Sequence, residues 1–189
     1  MIIRKAKQGD SENIARLIYL AMDEIIFSFI GMKSTESALA FLNSLVPQKR
    51  NQYSYQNCWV AELDNRIVGM ACVYNGGDIR ELRKPIEACL LTQFGKTFDA
   101  EDETEAGEYY IDCIGVEHGY QGKGIGSEIL KFLIEEYVHK QNQTLGLLVE
   151  TTNEGAGKLY SKIGFVKSGE KILTGKIMEH MQYLPGQYF

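Results

Sequence analysis

The sequence has no apolar run of membrane-spanning length, no cysteine pair at metal or redox spacing, no excess of basic residues, and no repeat, low-complexity tract or interdomain linker. Each absence removes a class. A transmembrane helix needs about 20 consecutive apolar residues, so no membrane partner is expected. The N-terminus, Met1-Ile2-Ile3-Arg4-Lys5, leads into a charged helical pattern and not into a signal-peptide core, which makes a cytoplasmic, soluble protein the expectation. Cys58, Cys72, Cys89 and Cys113 are widely spaced, with no CxxC and no Cys/His cluster. They read as small buried hydrophobes in a reducing compartment, with neither a metal nor a disulfide role. A formal net charge of -5 argues against nucleic acid as a partner and suits cationic substrates. The 189 residues read as one domain, large enough to bury roughly 70% of the surface that the unfolded chain exposes.

What is present is a glycine-rich turn, Gln121-Gly122-Lys123-Gly124-Ile125-Gly126-Ser127, between a strand-like run, 109–116, and a helical run, 125–138. Three glycines in five positions let the backbone approach a ligand closely, and the following helix adds unpaired N–H groups and its dipole. Such a turn is an anion site. A P-loop is excluded, because counting GxxxxGK from Gly119 puts Ile125 where the lysine belongs. A Rossmann turn is excluded because the third glycine, Gly126, comes one residue early.

The remaining pattern, Gln-x-x-Gly-x-Gly after a strand, is joined by Asn153-x-x-Ala156-x-x-Leu159-Tyr160-x-x-x-Gly164-Phe165. Together, over roughly residues 107 to 167, these stretches resemble the GNAT superfamily of acyl-CoA N-acyltransferases. The resemblance implies a single α/β domain with a mixed, mostly antiparallel sheet flanked by helices, an N-acetyltransferase domain over 1–189. It implies acetyl-CoA as co-substrate, with no metal. It places the CoA pyrophosphate on the amides of Gly122, Gly124, Gly126 and Ser127, with side-chain contacts from Gln121 and Lys123. The pantetheine arm then lies along the backbone of Ile114 and Val116, and Asn153 meets its far end. Asn153 also reads as an N-cap. The family often has proline where this chain has His118 and arginine where it has Gln121, and neither change removes a backbone donor.

In chain order, 2–6 is a strand and Asp10 caps a helix to about Ile25, with Ile14, Leu17, Ile18, Ala21, Met22 and Ile25 inward. A second helix spans 35–45 and ends before Pro47. The loop between them, 27–32, is apolar, and two readings stay open for Phe27 and Phe29: walls of the acceptor pocket, as the resemblance implies, or core plugs. Strands over 57–63 and 66–74 flank the two-residue turn Asp64-Asn65. Residues 79–94 read as helical with a break at Pro85. The run 99–108 holds six acidic residues and no basic one, read either as a solvated loop or as an acidic lip that attracts an amine. In 109–116 the apolar positions shift from odd to even, which predicts a bulge near Cys113 to Gly115. A parallel strand is expected over 145–150, another strand to Lys167, and a closing antiparallel strand over 177–184, with Tyr183, Tyr188 and Phe189 packing on it or on a second subunit of a homodimer.

The chemistry inferred is direct attack of an amine on the thioester, without an acyl-enzyme. It needs a base, an oxyanion donor and an acid for the leaving sulfur. Asp112 is the first candidate base, Glu108 the second and Glu105 the third; a structural pairing of Asp112 with a tyrosine or lysine is equally open. The resemblance assigns Tyr160 as the acid that protonates the thiolate. A main-chain N–H of the bulged strand is the expected oxyanion donor. Cys113 has no histidine placed by sequence to activate it as a nucleophile. The acceptor is expected to be a small-molecule or peptide amine. A non-catalytic acyl-CoA sensor or scaffold of the same fold is the alternative, and a different nucleotide-binding domain is a second.

Overall fold

A computed structural model describes residues 1–98 and 101–186. Its strands are β1 (Ile2–Lys5), β2 (Cys58–Leu63), β3 (Arg66–Asn75), β4 (Tyr109–Val116), β5 (Leu145–Glu150), β6 (Val166–Leu173) and β7 (Lys176–Tyr183). They form one mixed sheet in the order β1-β2-β3-β4-β5-β7-β6, antiparallel throughout except for the β4–β5 pair. The helices are α1 (Ser11–Ile30), α2 (Thr35–Leu45), α3 (Ile79–Phe94), α4 (Ile125–Leu133) and α5 (Glu154–Ile163). No helix among the described residues is long and apolar enough to cross a membrane.

Strand side chains alternate between two cores. Val60, Met70 and Cys72 pack with α1, α2 and α3, while Ala61, Ala71 and Val73 pack with α4. The turn between β2 and β3 has Asp64 and Asn65 at φ of 50° and 60°, the pair of left-handed residues that a two-residue hairpin demands. Cys58, Cys72 and Cys113 are register partners across three adjacent strands, so three of the four cysteines lie side by side in the core, all as free thiols. Their wide sequence spacing concealed that proximity.

Several boundaries differ from the pattern reading. The apolar stretch after Ile25 is not a loop. Met22 leaves helical geometry (φ -149°, ψ 38°), and a second helical segment runs to Ile30, capped by Gly31 at φ 70°. Phe27 and Phe29 pack on Tyr19 and Phe98, against the core. Pro85 does not break α3, because Ile79, Arg83, Ile86 and Leu90 anchor one buried stripe on both sides of it. The strand expected to stop at Lys167 continues to Leu173, turns at Thr174-Gly175, and makes β6 the sheet edge, with β7 between it and β5. Tyr183 is buried against Phe165, whereas Tyr188, Phe189 and Asp99 lie outside the described residues.

Candidate active site

The bulge in β4 builds the site. Cys72 pairs with Cys113 and Val73 with Ile111, so Asp112 is the extra residue, one position before the stretch predicted from the pattern. The insertion explains why Ile111 and Ile114, three residues apart, both face the α4 side. It turns the Asp112 carboxylate toward β3, where Tyr74 Oη donates to Oδ2 at 2.7 Å.

Parallel pairing of β4 with β5 joins only Tyr109–Ile111 to Leu145–Leu147. Past Ile111 the strands separate, leaving one edge of residues 112–116 open. A cavity of about 300 Å³ occupies the gap. Asp112, Cys113 and Ile114 line it from β4, Leu148 and Glu150 from β5, and Asn153 and Tyr160 from around α5. Ala21, Met22 and Ile25 line it from α1 at the kink, and Leu173 and Met178 from the β6–β7 hairpin. Phe27 and Phe29 do not contribute to this wall. Gly115 has no room for a side chain, because a Cβ there would collide with the Leu17 carbonyl, and this close approach seats α1 against β4.

The open edge of β4 runs into the glycine turn. Gly122 and Gly124 sit at φ of 72° and 82°, a region costly for other residues, and the space beside Gly122, Gly124 and Gly126 is clear. The first intrahelical bond of α4 is Glu128 N–H to Gly124 O at 3.0 Å, so the N–H groups of Ile125, Gly126 and Ser127 precede it and are available to an anion. Gln121 Nε2 donates to the Val116 carbonyl at 3.0 Å, pinning the turn to the strand, and the Lys123 ammonium lies over the Tyr120 ring. The parts fit a ligand with a pyrophosphate and an extended, amide-bearing arm: open amides for the first, an unpaired strand edge beside Ile114 and Val116 for the second. Asn153 caps α5 by accepting from Ala156 N–H at 3.2 Å.

Tyr160 is half-buried on α5, its ring edge-on to Phe165, and its hydroxyl has no protein partner among the described residues. Burial, reinforced by Cys113, raises its pKa, so the phenol keeps its proton at neutral pH. Cys113 is held in the thiol form by burial and the Asp112 charge.

Around Asp112 lies a polar cluster that pattern reading missed. Gln52 Nε2 donates to Asp112 Oδ2 at 2.5 Å and to Glu103 Oε1 at 2.8 Å, bridging two carboxylates. Arg83 donates to Glu103 Oε1 at 2.9 Å, and Tyr110 Oη to Glu103 Oε2 at 3.3 Å. Asp112 Oδ1 is buried with no donor. Burial raises the pKa of both acids, and the charge of Asp112 helps push Glu103 to about 7. The acidic run is therefore neither wholly solvated nor a simple lip. Glu103 and Glu108 are 5% and 3% exposed, whereas Glu105 is exposed and lies 3.9 Å from Lys171.

Glu108 is not brought into this cavity. Its carboxylate accepts from Thr104 Oγ1 at 2.7 Å and Gln182 Nε2 at 2.8 Å and pairs with His180 Nε2 at 2.9 Å. Burial alone would raise its pKa, but these partners hold it below the ordinary glutamate value. Among the described residues no group of three or more His, Cys, Asp or Glu is placed to hold a metal ion.

One signal for the cluster was present in the sequence. Arg83 occupies an inward position of the stripe Ile79, Arg83, Ile86 and Leu90, and a buried arginine demands a buried acid. Nothing marked Gln52, or Glu103 over its neighbours.

Residues 30–165 match the family described as "Acetyltransferase (GNAT) family". The chain is 28% identical over 165 residues to thialysine N-epsilon-acetyltransferase of Bos taurus, covering 87% of this chain and 83% of that protein. It is 32% identical over 77 residues to mycothiol acetyltransferase of Corynebacterium aurimucosum, 41% of this chain and only 25% of that protein's length. The fold superposes on a crystal structure of an N-acetyltransferase from Staphylococcus aureus Mu50 with a TM-score of 0.86 and 26% identity, covering 97% of this chain and 100% of the other.

Proposed function

This chain belongs to the acetyltransferase (GNAT) family, and from that premise we propose that it transfers an acetyl group from acetyl-CoA to a primary amine by direct attack. The observation that carries the reading is one cavity, where β4 and β5 part, lined by both a carboxylate with an unpartnered buried oxygen and a protonated tyrosine. The thialysine ε-amine named for the Bos taurus relative is an acceptor of the same class.

The amides at Gly122, Gly124, Gly126 and Ser127 hold the pyrophosphate, with Gln121 and Lys123 beside them. The backbone of Ile114 and Val116 takes the pantetheine arm as an added strand. Asn153 marks its far end. Asp112 Oδ1 accepts a proton from the incoming ammonium, the freed nitrogen attacks the thioester carbon, and a main-chain N–H of the bulged strand faces the developing oxyanion. As the C–S bond breaks, Tyr160 gives its proton to sulfur. The nitrogen's second proton restores the phenol, and Asp112 returns the first to solvent. Glu108 sits outside this sequence and acts on the fold.

The test is thermal unfolding with acetyl-CoA, with ATP and NAD as controls, followed by thiol release with a panel of amines. Acetyl-CoA at 100 times its Kd should stabilise by about 2.7 kcal/mol, a shift of several degrees. No shift, or an equal shift with ATP, would remove the coenzyme and with it the roles of Asp112 and Tyr160. If Tyr160→Phe and Asp112→Asn left acetyl transfer intact, the two residues would lose their catalytic roles; a shift with acetyl-CoA but no thiol release with any amine would favour the non-catalytic reading.

A further inference from the structure

Counting charge in the buried cluster leaves it unbalanced. When both acids are ionised, Glu103 and Asp112 bring two negative charges and Arg83 brings one positive, while Gln52, Tyr53, Tyr74 and Tyr110 are neutral. The Arg83 guanidinium is on the Glu103 side, 2.9 Å from Oε1, and also reaches Asp102 at 3.4 Å. Donors are distributed the same way. Both oxygens of Glu103 receive hydrogen bonds, from Arg83, Gln52 and Tyr110. On Asp112 one oxygen takes Tyr74 and Gln52, and the other takes none. The amide oxygen Gln52 Oε1 and the carboxylate oxygen Asp112 Oδ1 both lack a donor, and only the second belongs to a group that can carry charge; Asp112 lines the cavity, as does Glu103.

A primary ammonium supplies a donor and a positive charge to that oxygen. Resting on the acetyl-transfer reading, we propose that Glu103 is a positioning residue for that reaction, and that the acceptor enters as a compact primary ammonium ion donating to Asp112 Oδ1. Glu103 fixes Gln52, which fixes Asp112 Oδ2 and leaves Oδ1 as the carboxylate oxygen without a donor. Glu103 also holds the Arg83 guanidinium in direct contact, so Arg83 acts on Asp112 only through space. The proton step balances: R–NH3⁺ and the Asp112 carboxylate become R–NH2 and the neutral acid, and no third reactant is needed. The neutral acid is stabilised in place first by burial, and by the negative charge of Glu103 when that group is ionised. The other titratable groups around Asp112 are Tyr53, Tyr74 and Cys72 on the β3 side, Tyr110 and Cys113 on β4, Arg83 on α3, and Tyr160 and Glu150 across the cavity. Of these Arg83 and Glu150 carry a charge at neutral pH; Arg83 is held by Glu103, and Glu150 is paired with Lys176 at 3.1 Å.

The test is a carboxyl ¹³C NMR titration of the full chain labelled at aspartate, in wild type and Glu103→Gln. Glutamine keeps an oxygen for Arg83 and Gln52 and turns its amide to the Tyr110 hydroxyl, so folding is retained. With the Glu103 charge gone, the Asp112 midpoint should fall by about one pH unit or more, and where turnover is measured the acid limb of kcat/KM should move down with it. Arg83→Met should move the midpoint up, and it probes the same coupling if Glu103→Gln does not fold. Propylammonium should lower the wild-type midpoint, because a bound cation favours the carboxylate; propanol should leave it in place. An Asp112 midpoint indifferent to Glu103 and Arg83, or to propylammonium, overturns the inference. The titration needs no turnover, so absence of acetyl transfer with every amine would sink the proposed reaction separately from the pair.

Discussion

Glu103 and Glu108 come from one short acidic segment and both are buried, yet their surroundings have opposite character. Glu108 meets three partners and does not line the cavity of Asp112; its ionised form is the favoured one. Glu103 shares Gln52 with Asp112 across a cluster that retains negative charge, and burial favours the protonated form of both acids. Both glutamates have three partners, but Glu103 shares one of them with Asp112, whose second oxygen has none, and an undersupplied carboxylate is held ready for a ligand or a proton. The difference separates stability from chemistry within a few residues.

The sharpest way to break that contrast is to neutralise each acid and ask what is lost. Asp112→Asn should lower acetyl transfer about 10²- to 10⁴-fold with the fold intact, the usual range for a positioned base. Thiol release from acetyl-CoA measures it, and a loss under tenfold would remove Asp112 from the base role. Glu108→Ala should do the reverse. It leaves His180, Gln182 and Thr104 facing a void and should cost about 3–5 kcal/mol in urea unfolding, while kcat per folded molecule changes little. A large fall in kcat without loss of stability would return Glu108 to the catalytic candidates. A smaller effect probes the same anchor from the other side. Gly146 on β5 touches the Glu108 carboxylate so closely that a Cβ would overlap it. Gly146→Ala should therefore cost about 1–3 kcal/mol, and a neutral result would show that this carboxylate has room to move.

Elements resting on periodicity or on turn chemistry were legible in the sequence. Helix α2 and strands β4 and β5 fall where their apolar patterns put them, and the Asp64-Asn65 turn follows from the left-handed preference of those residues. The glycine turn opens α4 where its spacing put it, and Tyr160, singled out by the resemblance, lies on α5 at the cavity. What was not legible depends on contacts between distant segments. Gln52 meets Asp112 across 60 positions and Glu108 meets His180 across 72, and no local pattern encodes either. The bulge was visible as a change of phase in 109–116, but phase alone could not tell Asp112 from the residues that follow it. The kink at Met22 was hidden because the apolar stripe continues through it, and only the break in backbone geometry at that residue divides the helix.

The finest test of the two clusters is the sign of their pH dependence. The folded-state pKa of Glu108 is depressed, so the folded state binds that proton less tightly than the unfolded chain does. Its stabilisation is present above the unfolded value of 4.5 and is lost as pH falls through the folded value. Glu103 and Asp112 are raised, so between 4.5 and about 7 the folded state holds a proton that the unfolded chain has released, and stability falls as pH rises across that window. Asp112→Asn removes one of the two repelling charges and lets Glu103 titrate lower. Its stability relative to wild type should therefore improve by about 1 kcal/mol between pH 5 and pH 8, the equivalent of somewhat less than one pKa unit. Comparing the variant with wild type at two pH values cancels the hydrogen bonds that the amide changes, because those do not titrate. A variant whose deficit or gain is the same at both values would mean that the pair shares no proton, and the contrast with Glu108 would then rest on geometry alone.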